Sequence, residues 1–409
     1  MFHQKLKQYA DLLIHVGIHL QKGQTLVISS PVECALLAHF CTESAYAAGC
    51  KEVIIDWEDS FVTRQKFLYA DDSVLDSFPE WGRLLTEASM ADGAARLELY
   101  VNDPHCMEGV RAERIAHYQK SKMTALKDSM NRMCLQAVPR CTASPAALPW
   151  AKTLFPDLSD EDAVHSLWDV VFQLLHIDGI HDPVPIWQNH FSRLQRQAER
   201  LNQFRFQTLH YKNQLGTDLT IQLPSQHTWE TCASRSLSGI SYISNLPSEE
   251  IFTVPRQDGV NGTVVSSLPL VYQGCMIKDF TLEFKNGIVQ NASARTGEDK
   301  LLAMLTVDEG ASRLGEVALV SNDSPIYQLG MPLYNPLYDE NASCHFALGQ
   351  GIFSCLTDDR QADQIVNRSA IHMDFMIGTP DLNITGITQS GKTIPIFIDG
   401  HFSPYVSDV

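Results

Sequence analysis

The feature that most constrains this chain is a run of charged side chains in apolar surroundings between residues 316 and 374. Glu316 stands within Leu-Gly-Glu-Val-Ala-Leu-Val, and the motifs Asp-Glu340-Asn-Ala-Ser-Cys-His345 and His372-Met-Asp374 follow it. Charged groups are rarely left in such surroundings without a partner, because burying an unpaired charge is costly. Carboxylates with neutral imidazoles suit Zn, Co or Mn, so the stretch predicts one cation or a pair of them. Ordinary ion pairs could account for any single residue, but the recurrence of negative charge favours a metal.

The spacing of these residues indicates how their side chains could converge. His372 and Asp374 are two residues apart, so on a strand both side chains would leave the same face. A short helix is expected at about 337–348. Glu340 and His345, five residues apart, would not be in line on that helix but could still reach one ion.

Two further acids lie upstream, in Pro247-Ser-Glu249-Glu250-Ile. One of them can face a site while its neighbour faces solvent. Surface acids before strands are common, so this pair needs support from the rest of the chain. The sequence has no Gly-x-Ser-x-Gly motif and therefore does not indicate a serine hydrolase.

Composition bounds the class of protein. A chain of 409 residues with 44% hydrophobic content is long enough for two domains. The net charge of −17 argues against nucleic acid or an anionic membrane as the main partner, and no apolar run approaches the ~20 residues that span a bilayer. The ten cysteines include no Cys-x-x-Cys pair, which fits reduced thiols in a cytoplasmic protein.

The first half of the chain predicts an α/β layer. A helix at 4–20 precedes a strand from Thr25, a second helix ends near Gly49, and a buried strand follows at 53–57. Strands separated by helices favour a parallel sheet. Further strands are expected at 94–101 and 134–138, and a long helix after Pro183 would close an N-terminal domain of residues 1–205.

The second half changes character and predicts an antiparallel, β-rich domain at 206–409. Its apolar residues alternate with a period of two, as in half-buried strands. Asn286-Gly287 is typical of a tight hairpin turn, because both positions favour positive φ. A short helix is also expected at 298–306. The candidate metal site lies wholly in this half.

Long motifs in this half resemble the M29 family of metallo-aminopeptidases, the thermophilic aminopeptidase or AmpS/PepS type. They are Ser-Glu-Glu250-Ile-Phe-Thr-x-Pro, Gly262-Thr-Val-Val-Ser-Ser, Asp308-Glu-Gly-Ala-x-x-Leu-Gly-Glu316-Val-Ala-Leu-Val, Tyr-Asp-Glu340-Asn-Ala-Ser-Cys-His345 and His372-Met-Asp374-Phe-Met-Ile-Gly. The motifs occur in order, and the resemblance runs nearly from end to end.

The resemblance implies an N-terminal α/β domain, a C-terminal domain carrying two divalent metals (Zn, Co or Mn), a cytoplasmic setting and a homodimer. The implied substrate is a peptide with a free N-terminus, cleaved by water activated between ions about 3.5–4 Å apart. The family's metal ligands carry over onto six residues, all present here: Glu250, Glu316, Glu340, His345, His372 and Asp374. We expect Glu316 to bridge the metals, and either Glu316 or Glu250 to shuttle the proton.

One departure from the family pattern bears on activity. Members usually read His-x-Ala-Leu-Gly-x-x-Tyr, with the Tyr regarded as a functional residue, whereas this chain has Ile352 at that place. Losing one donor to a developing oxyanion costs on the order of 100- to 1000-fold in turnover. A catalytically impaired or silent binding protein is therefore an alternative. A non-peptidase metal enzyme on the same scaffold, such as an iron-dependent ring-opening oxygenase, is another, although the retained acids Glu250, Glu316 and Glu340 argue against it.

Overall fold

The structure is a computed structural model that describes residues 1–101, 103, 106–107, 109–129, 137–272, 275–357 and 362–407. The chain divides into two compact units. The first unit comprises Met1–Gln188 with Ala233–Pro247, and the second comprises Asn189–Cys232 with Ser248–Val409. The predicted domains, an N-terminal α/β domain at 1–205 and a C-terminal β-rich domain at 206–409, stay a prediction.

The regular elements are numbered along the chain. The described helices are α1 (Phe2–Leu12), continued by a π-helical turn (Leu13–Gly17), α2 (Ala35–Ala47), α3 (Ser60–Tyr69), α4 (Asp72–Leu75), α5 (Glu80–Ala91), α6 (Ala112–Ala125), α7 (Leu148–Leu154), α8 (Asp160–Leu174), α9 (Val184–Phe204), α10 (Glu298–Leu305), α11 (Pro325–Gln328), α12 (Pro336–Asp339) and α13 (Ala362–Ile365). Short 3₁₀ turns occur at Val32–Cys34 and Phe353–Cys355.

The described strands are β1 (Thr25–Pro31), β2 (Glu52–Glu58), β3 (Ala95–Leu99), β4 (Arg140–Ala143), β5 (Phe206–Lys212), β6 (Asp218–Gln222), β7 (Glu230–Thr231), β8 (Ala233–Arg235), β9 (Ser241–Ile243), β10 (Asn245–Leu246), β11 (Ile251–Thr253), β12 (Val260–Val265), β13 (Leu270–Tyr272), β14 (Cys275–Lys285), β15 (Ile288–Thr296), β16 (Leu314–Leu319), β17 (His345–Gly349), β18 (His372–Met376), β19 (Asn383–Thr388), β20 (Thr393–Ile398) and β21 (His401–Phe402).

The first unit is built on a parallel sheet in the order β10-β4-β3-β1-β2. Every pairing within it is parallel, which confirms the α/β layer predicted from strands separated by helices. The strand predicted at 134–138 falls largely on residues outside the described ranges. Within the described residues, strand β4 of this sheet begins at Arg140.

The second unit contains two antiparallel sheets, as predicted. A nine-stranded sheet runs β13-β14-β12-β6-β5-β19-β20-β21, with β15 paired to β14. A five-stranded antiparallel sheet runs β18-β17-β16-β11-β7. The predicted hairpin joins β14 to β15, and Asn286 and Gly287 have φ values of 52° and 80° in its turn. Among the helices in the described ranges, none combines the length and the apolar character that crossing a bilayer requires.

The predicted helix at about 337–348 is wrong. A single helical turn, α12, begins at Pro336 and is capped by Asn335, whose side chain accepts a hydrogen bond from the N–H of Leu337. His345 then opens β17, whose five residues are all buried and which pairs with β16 and β18. A strand buried on both faces shows no alternation of apolar and polar residues, so its sequence resembles a buried helix.

Candidate metal centre

Four of the candidate ligands, Glu316, His345, His372 and Asp374, stand on one face of the five-stranded antiparallel sheet. Glu316 of β16 lies opposite Ala347 of β17, which in turn lies opposite Asp374 of β18. His372, two residues before Asp374, lies opposite Gly349. Because side chains alternate along a strand, residues paired in this way and their second neighbours share a face. The pairing of three strands therefore brings together residues that are up to 58 positions apart in sequence, Glu316 and Asp374 among them.

Small residues separate the charged side chains on this face. Ala347 stands between Glu316 and Asp374, and Ala318 stands between Phe252 and His345 in the next row. Opposed side chains on adjacent strands are about 4.5–5.5 Å apart at Cβ, so a larger residue at Ala347 would occupy the space between the carboxylates. The alanines leave room for an ion above the sheet.

The opposite face of the same sheet is apolar. Phe346 and Phe375 are fully buried there, with ring centroids 6.0 Å apart. Phe346 also contacts Tyr211 of β5 at 4.9 Å, and Phe375 contacts Phe280 of β14 at 5.4 Å. Packing against the nine-stranded sheet thus gives the charged face a fixed base.

Two groups of side chains have the geometry to hold an ion. Ligand atoms of Glu250, Glu316 and His345 all lie within 4.8 Å of one another, and so do those of Glu316, His372 and Asp374. Glu316 belongs to both groups. The structure thus brings five of the six predicted ligands into two groups that share one carboxylate.

Glu340, the sixth predicted ligand, stands outside these two groups but within their electrostatic field. It follows α12 directly, and Asn341 Nδ2 lies 3.4 Å from its Oε1. Burial raises the pKa of Glu340 well above its usual value, and the charges of Glu250, Asp374 and Glu316 raise it further. A cation would relieve this repulsion.

Both imidazoles present the nitrogen that a metal requires. His345 Nδ1 is 3.2 Å from the carbonyl oxygen of Ser343, and His372 Nδ1 is 2.7 Å from that of Gln350. A carbonyl only accepts, so each Nδ1 carries the proton and donates it. Nε2 then faces the acids, 3.2 Å from Glu250 Oε2 in His345 and 3.0 Å from Glu316 Oε2 in His372. Such a carbonyl contact fixes tautomer and ring orientation in metal-binding histidines.

Within the chain itself, these imidazoles act as the countercharges. Burial lowers the pKa of His345, but Glu250 outweighs it and the result is about 9. Burial likewise lowers the pKa of His372, while Asp374 and Glu316 raise it well above its usual value. For Glu316 burial dominates and the pKa rises. For Asp374 the neighbouring His372 outweighs burial and the pKa falls.

The residues present fit a divalent metal. Asp374 Oδ1 is buried and makes no hydrogen bond among the described residues, and His372 Nε2 lies 3.5 Å from it, although buried polar atoms are normally satisfied. Three carboxylates converge with two imidazoles, and the Glu340 carboxylate lies in their electrostatic field. Together they leave an excess of negative charge for a cation to offset. The donor set of carboxylate oxygen and imidazole nitrogen is typical of Zn and its neighbours.

The structure corrects one expectation and adds residues that the sequence did not single out. Glu249 does not face solvent: its side chain is only 11% exposed and lies 3.6 Å from His190 Nε2. Asn341, fully buried, joins two ligand-bearing segments, because its Oδ1 accepts a hydrogen bond from the N–H of Glu249 at 2.7 Å. Its place directly after Glu340 in Asp-Glu-Asn was the available signal. Glu230 was also missed, because β7 is only two residues long.

Ile352 lies beside this face among apolar residues. Together with Phe252 and Phe353 it packs against a cluster formed by Val254, Cys355, Leu356, Ala362 and Val366. An aliphatic side chain at position 352 therefore suits its surroundings. It contributes no hydroxyl group to the site.

Comparison with known proteins decides the family. The family model of the thermophilic metalloproteases (M29) matches residues 2–402. The chain belongs to the M29 family. Aminopeptidase AmpS of Bacillus subtilis is 38% identical over 98% of this chain and 99% of its own length, and Aminopeptidase T of Thermus aquaticus is 34% identical over 98% and 99%. These matches confirm the resemblance drawn from the motifs, and membership makes the chain a hydrolase that depends on a divalent metal.

Solved structures agree with this assignment. AmpT from Thermus thermophilus superposes with a TM-score of 0.92 at 32% identity, covering 98% of this chain and all of that one. The M29 fold, with its parallel and antiparallel sheets, is thereby confirmed. A 2,5-dihydroxypyridine dioxygenase from Pseudomonas putida matches with a TM-score of 0.54 at 13% identity, which is a likeness of fold alone.

Proposed function

We propose that this M29 protein is an aminopeptidase that removes N-terminal residues from peptides with a pair of divalent metal ions. The observation that carries the proposal is the position of Glu316, whose carboxylate belongs to both groups of candidate ligands. A residue shared in this way is what a bridging ligand requires. The curated relatives named above, all aminopeptidases, support the same reaction.

The residues divide naturally between two ions. Glu250, Glu316 and His345 would hold one, Glu316, His372 and Asp374 would hold the other, and Glu340 would complete the set from beside them. When bound, such a pair polarises the scissile carbonyl and lowers the pKa of an attacking water towards neutrality. The two ions would be Zn, Co or Mn.

The side chains themselves orient the site and move the proton. The contacts from His345 to Ser343 and from His372 to Gln350 hold each Nε2 toward the acids. A carboxylate oxygen of Glu316 or Glu250 would accept a proton from the attacking water and deliver it to the leaving amine. With the ions bound, the site would hold the free α-amine of a peptide, which favours removal of the first residue.

Three further properties are proposed on the family likeness. They are a cytoplasmic location, a homodimer, and a turnover reduced by the absence of a hydroxyl group at Ile352. Losing one hydrogen-bond donor to an oxyanion lowers turnover on the order of 100- to 1000-fold. If the missing hydroxyl group lowers turnover far enough, the chain is an impaired or silent M29 protein, and the experiment described next distinguishes this alternative.

The test combines metal stoichiometry with turnover. Purified protein is loaded with Zn, Co or Mn and assayed on aminoacyl-p-nitroanilides and dipeptides, beside Glu316→Gln, Ile352→Tyr and the control Glu283→Gln. Glu283 is an exposed acid of β14 bonded to Asn291. We expect about two equivalents of metal, turnover that Glu316→Gln abolishes and Glu283→Gln preserves, and a gain in Ile352→Tyr. Binding of less than one equivalent of metal would contradict the proposal. An inactive wild type whose activity is restored by Ile352→Tyr would show that the chain is the impaired form.

A further inference from the structure

A further ionisable side chain, Glu230, stands on the face of the sheet that carries Glu316, His345, His372 and Asp374. It lies opposite Phe252, which lies opposite Ala318, which in turn lies opposite His345. The row crosses four strands without a register shift between these residues. Neighbouring strands are about 4.8 Å apart, so Glu230 lies about 10 Å along the sheet from Ala318.

A shared neighbour ties Glu230 to the candidate ligands. The Cys355 thiol is fully buried, and burial raises its pKa well above the usual value. The charges of Glu230, Glu316 and Glu250 each raise that pKa further. The charges of Glu230 and of two candidate ligands therefore act on the same thiol.

Glu230 is partly buried, and its contacts within the described ranges are to hydroxyl groups. Ser354 Oγ donates to its Oε2 at 2.9 Å, and Thr228 Oγ1 lies 3.5 Å from its Oε1. In the part of the chain that the structure describes, no lysine, arginine or histidine forms an ion pair with it. Burial raises the pKa of Glu230, and the hydroxyl contacts offset this only in part. A cation from outside the chain would satisfy the carboxylate.

Apolar side chains lie between Glu230 and the candidate ligands, and the Arg368 guanidinium lies over one of them, 4.5 Å from the centroid of the Phe353 ring. Phe252 is the side chain directly between Glu230 and Ala318. It is partly buried, as are Ile352 and Phe353 beside it on the same apolar cluster. An apolar strip that ends at a carboxylate suits a side chain with a hydrocarbon stem and a charged head, because lysine and arginine lay their stems on apolar surface.

We propose that Glu230 is a specificity-determining residue that binds the cationic head of an N-terminal lysine or arginine, whose stem lies along Phe252. This inference rests on the proposed function, because it supposes that the first residue of a peptide is held at the candidate metal centre. It names the substrate class as peptides that begin with a basic residue.

A structural role would produce a different result. If Glu230 only held Ser354 and the turn Phe353–Cys355 in place, its removal would lower thermal stability and affect all substrates alike. Selection of a cation instead affects the ratio between a charged substrate and a neutral substrate of the same shape. Norleucine has the stem of lysine without the ammonium group and provides that comparison.

The experiment measures kcat/KM for lysyl- and norleucyl-p-nitroanilide with wild type, Glu230→Gln and the control Glu283→Gln, all loaded with metal. We expect wild type to prefer lysine, and Glu230→Gln to reduce the lysine-to-norleucine ratio by about tenfold to a hundredfold, as expected for a charge-assisted hydrogen bond. Glu283→Gln should leave the ratio unchanged. Glu230→Asp retains the charge on a shorter side chain and should give an intermediate ratio, which also covers a failure of Glu230→Gln to fold.

Binding of lysinamide and norleucinamide, measured by calorimetry, separates this inference from the proposed function. If no peptide is hydrolysed with any metal, the proposed function fails, and the two affinities still decide the role of Glu230. An unchanged ratio in both Glu230→Gln and Glu230→Asp would overturn the inference, in binding or in turnover. A variant that loses affinity for lysinamide and norleucinamide to the same extent would also overturn the inference.

Discussion

Asn341 accepts a hydrogen bond from the N–H of Glu249 at 2.7 Å, and this contact ties the segment that carries Glu250 to the segment that carries Glu340. The side chain also donates to the carbonyl of Leu337 at 3.0 Å. One buried amide thus positions candidate ligands that are 90 residues apart in sequence.

Asn341→Ala should therefore weaken metal binding. Residues that orient ligands typically contribute 10- to 100-fold in metal affinity, and we expect a loss of that size in a competition titration with a chelator. Asn322→Ala is the matched control: Asn322 is also buried and donates to a carbonyl, that of Thr379, but it is not bonded to a ligand-bearing segment. Equal metal affinity in the two variants would show that Asn341 acts only on stability.

Ala347→Val should block the metal centre while leaving the sheet intact. The added methyl groups would enter the space between Glu316 and Asp374, the residues opposite Ala347 on either side. Valine is favourable in strands, so the melting temperature of the metal-free protein should change little. Ala292→Val on β15 serves as the control. Isothermal titration should show binding lost in the first variant and retained in the second.

The pH dependence of stability should reveal Glu249. Burial raises the pKa of this carboxyl from 4.5 to about 8, so the folded chain binds a proton that the unfolded chain releases. The contribution of the protonated Glu249 carboxyl to the free energy of unfolding is fully present below pH 4.5 and is lost as the pH rises to about 8. Glutamine carries no titratable carboxyl, so the variant Glu249→Gln should not lose this contribution. As the pH rises from 5.5 to 8.5, its free energy of unfolding should increase by a few kcal/mol relative to that of wild type, as measured by denaturant unfolding with chelator present.

Asp381→Asn provides the contrasting case. Hydrogen bonds from Thr379 and from the N–H of Gln214 lower the pKa of Asp381 below 3.8. The folded and unfolded states are then both ionised above pH 5.5, and the difference from wild type should not vary with pH. A Glu249→Gln difference that is equally flat would show that Glu249 is ionised in the folded protein.

The hairpin turn at Gly287 should not tolerate a side chain. Its φ is +80°, and a Cβ there would lie 1.8 Å from the carbonyl oxygen of Gln257. Gly391 has nearly the same φ, +79°, but nothing lies within 4 Å of its Cβ position. Gly391→Ala should cost about 1 kcal/mol from backbone conformation alone, whereas Gly287→Ala should cost several times as much. Similar unfolding free energies for the two variants would contradict this account.

Much of the fold followed from local patterns. Strands separated by helices indicated the parallel sheet, and alternation indicated the antiparallel half, because each reflects which face of an element is buried. The Asn286-Gly287 turn followed from backbone sterics. Segments buried on both faces were harder: the strand His345–Gly349 reads as a helix, since no solvent-facing residue breaks its apolar run.

The sequence by itself indicated a cation site, because acids and histidines in apolar motifs are costly unless they bind something. The resemblance of its motifs to the M29 family supplied the family and the six candidate ligands. Only the tertiary structure decided how they group. Strand pairing placed Glu316 in both sets, left Glu340 beside them, buried Glu249 and brought Glu230 onto the same face. These relations depend on hydrogen-bond register between strands distant in sequence, and register is a property of the packed sheets that no local spacing encodes.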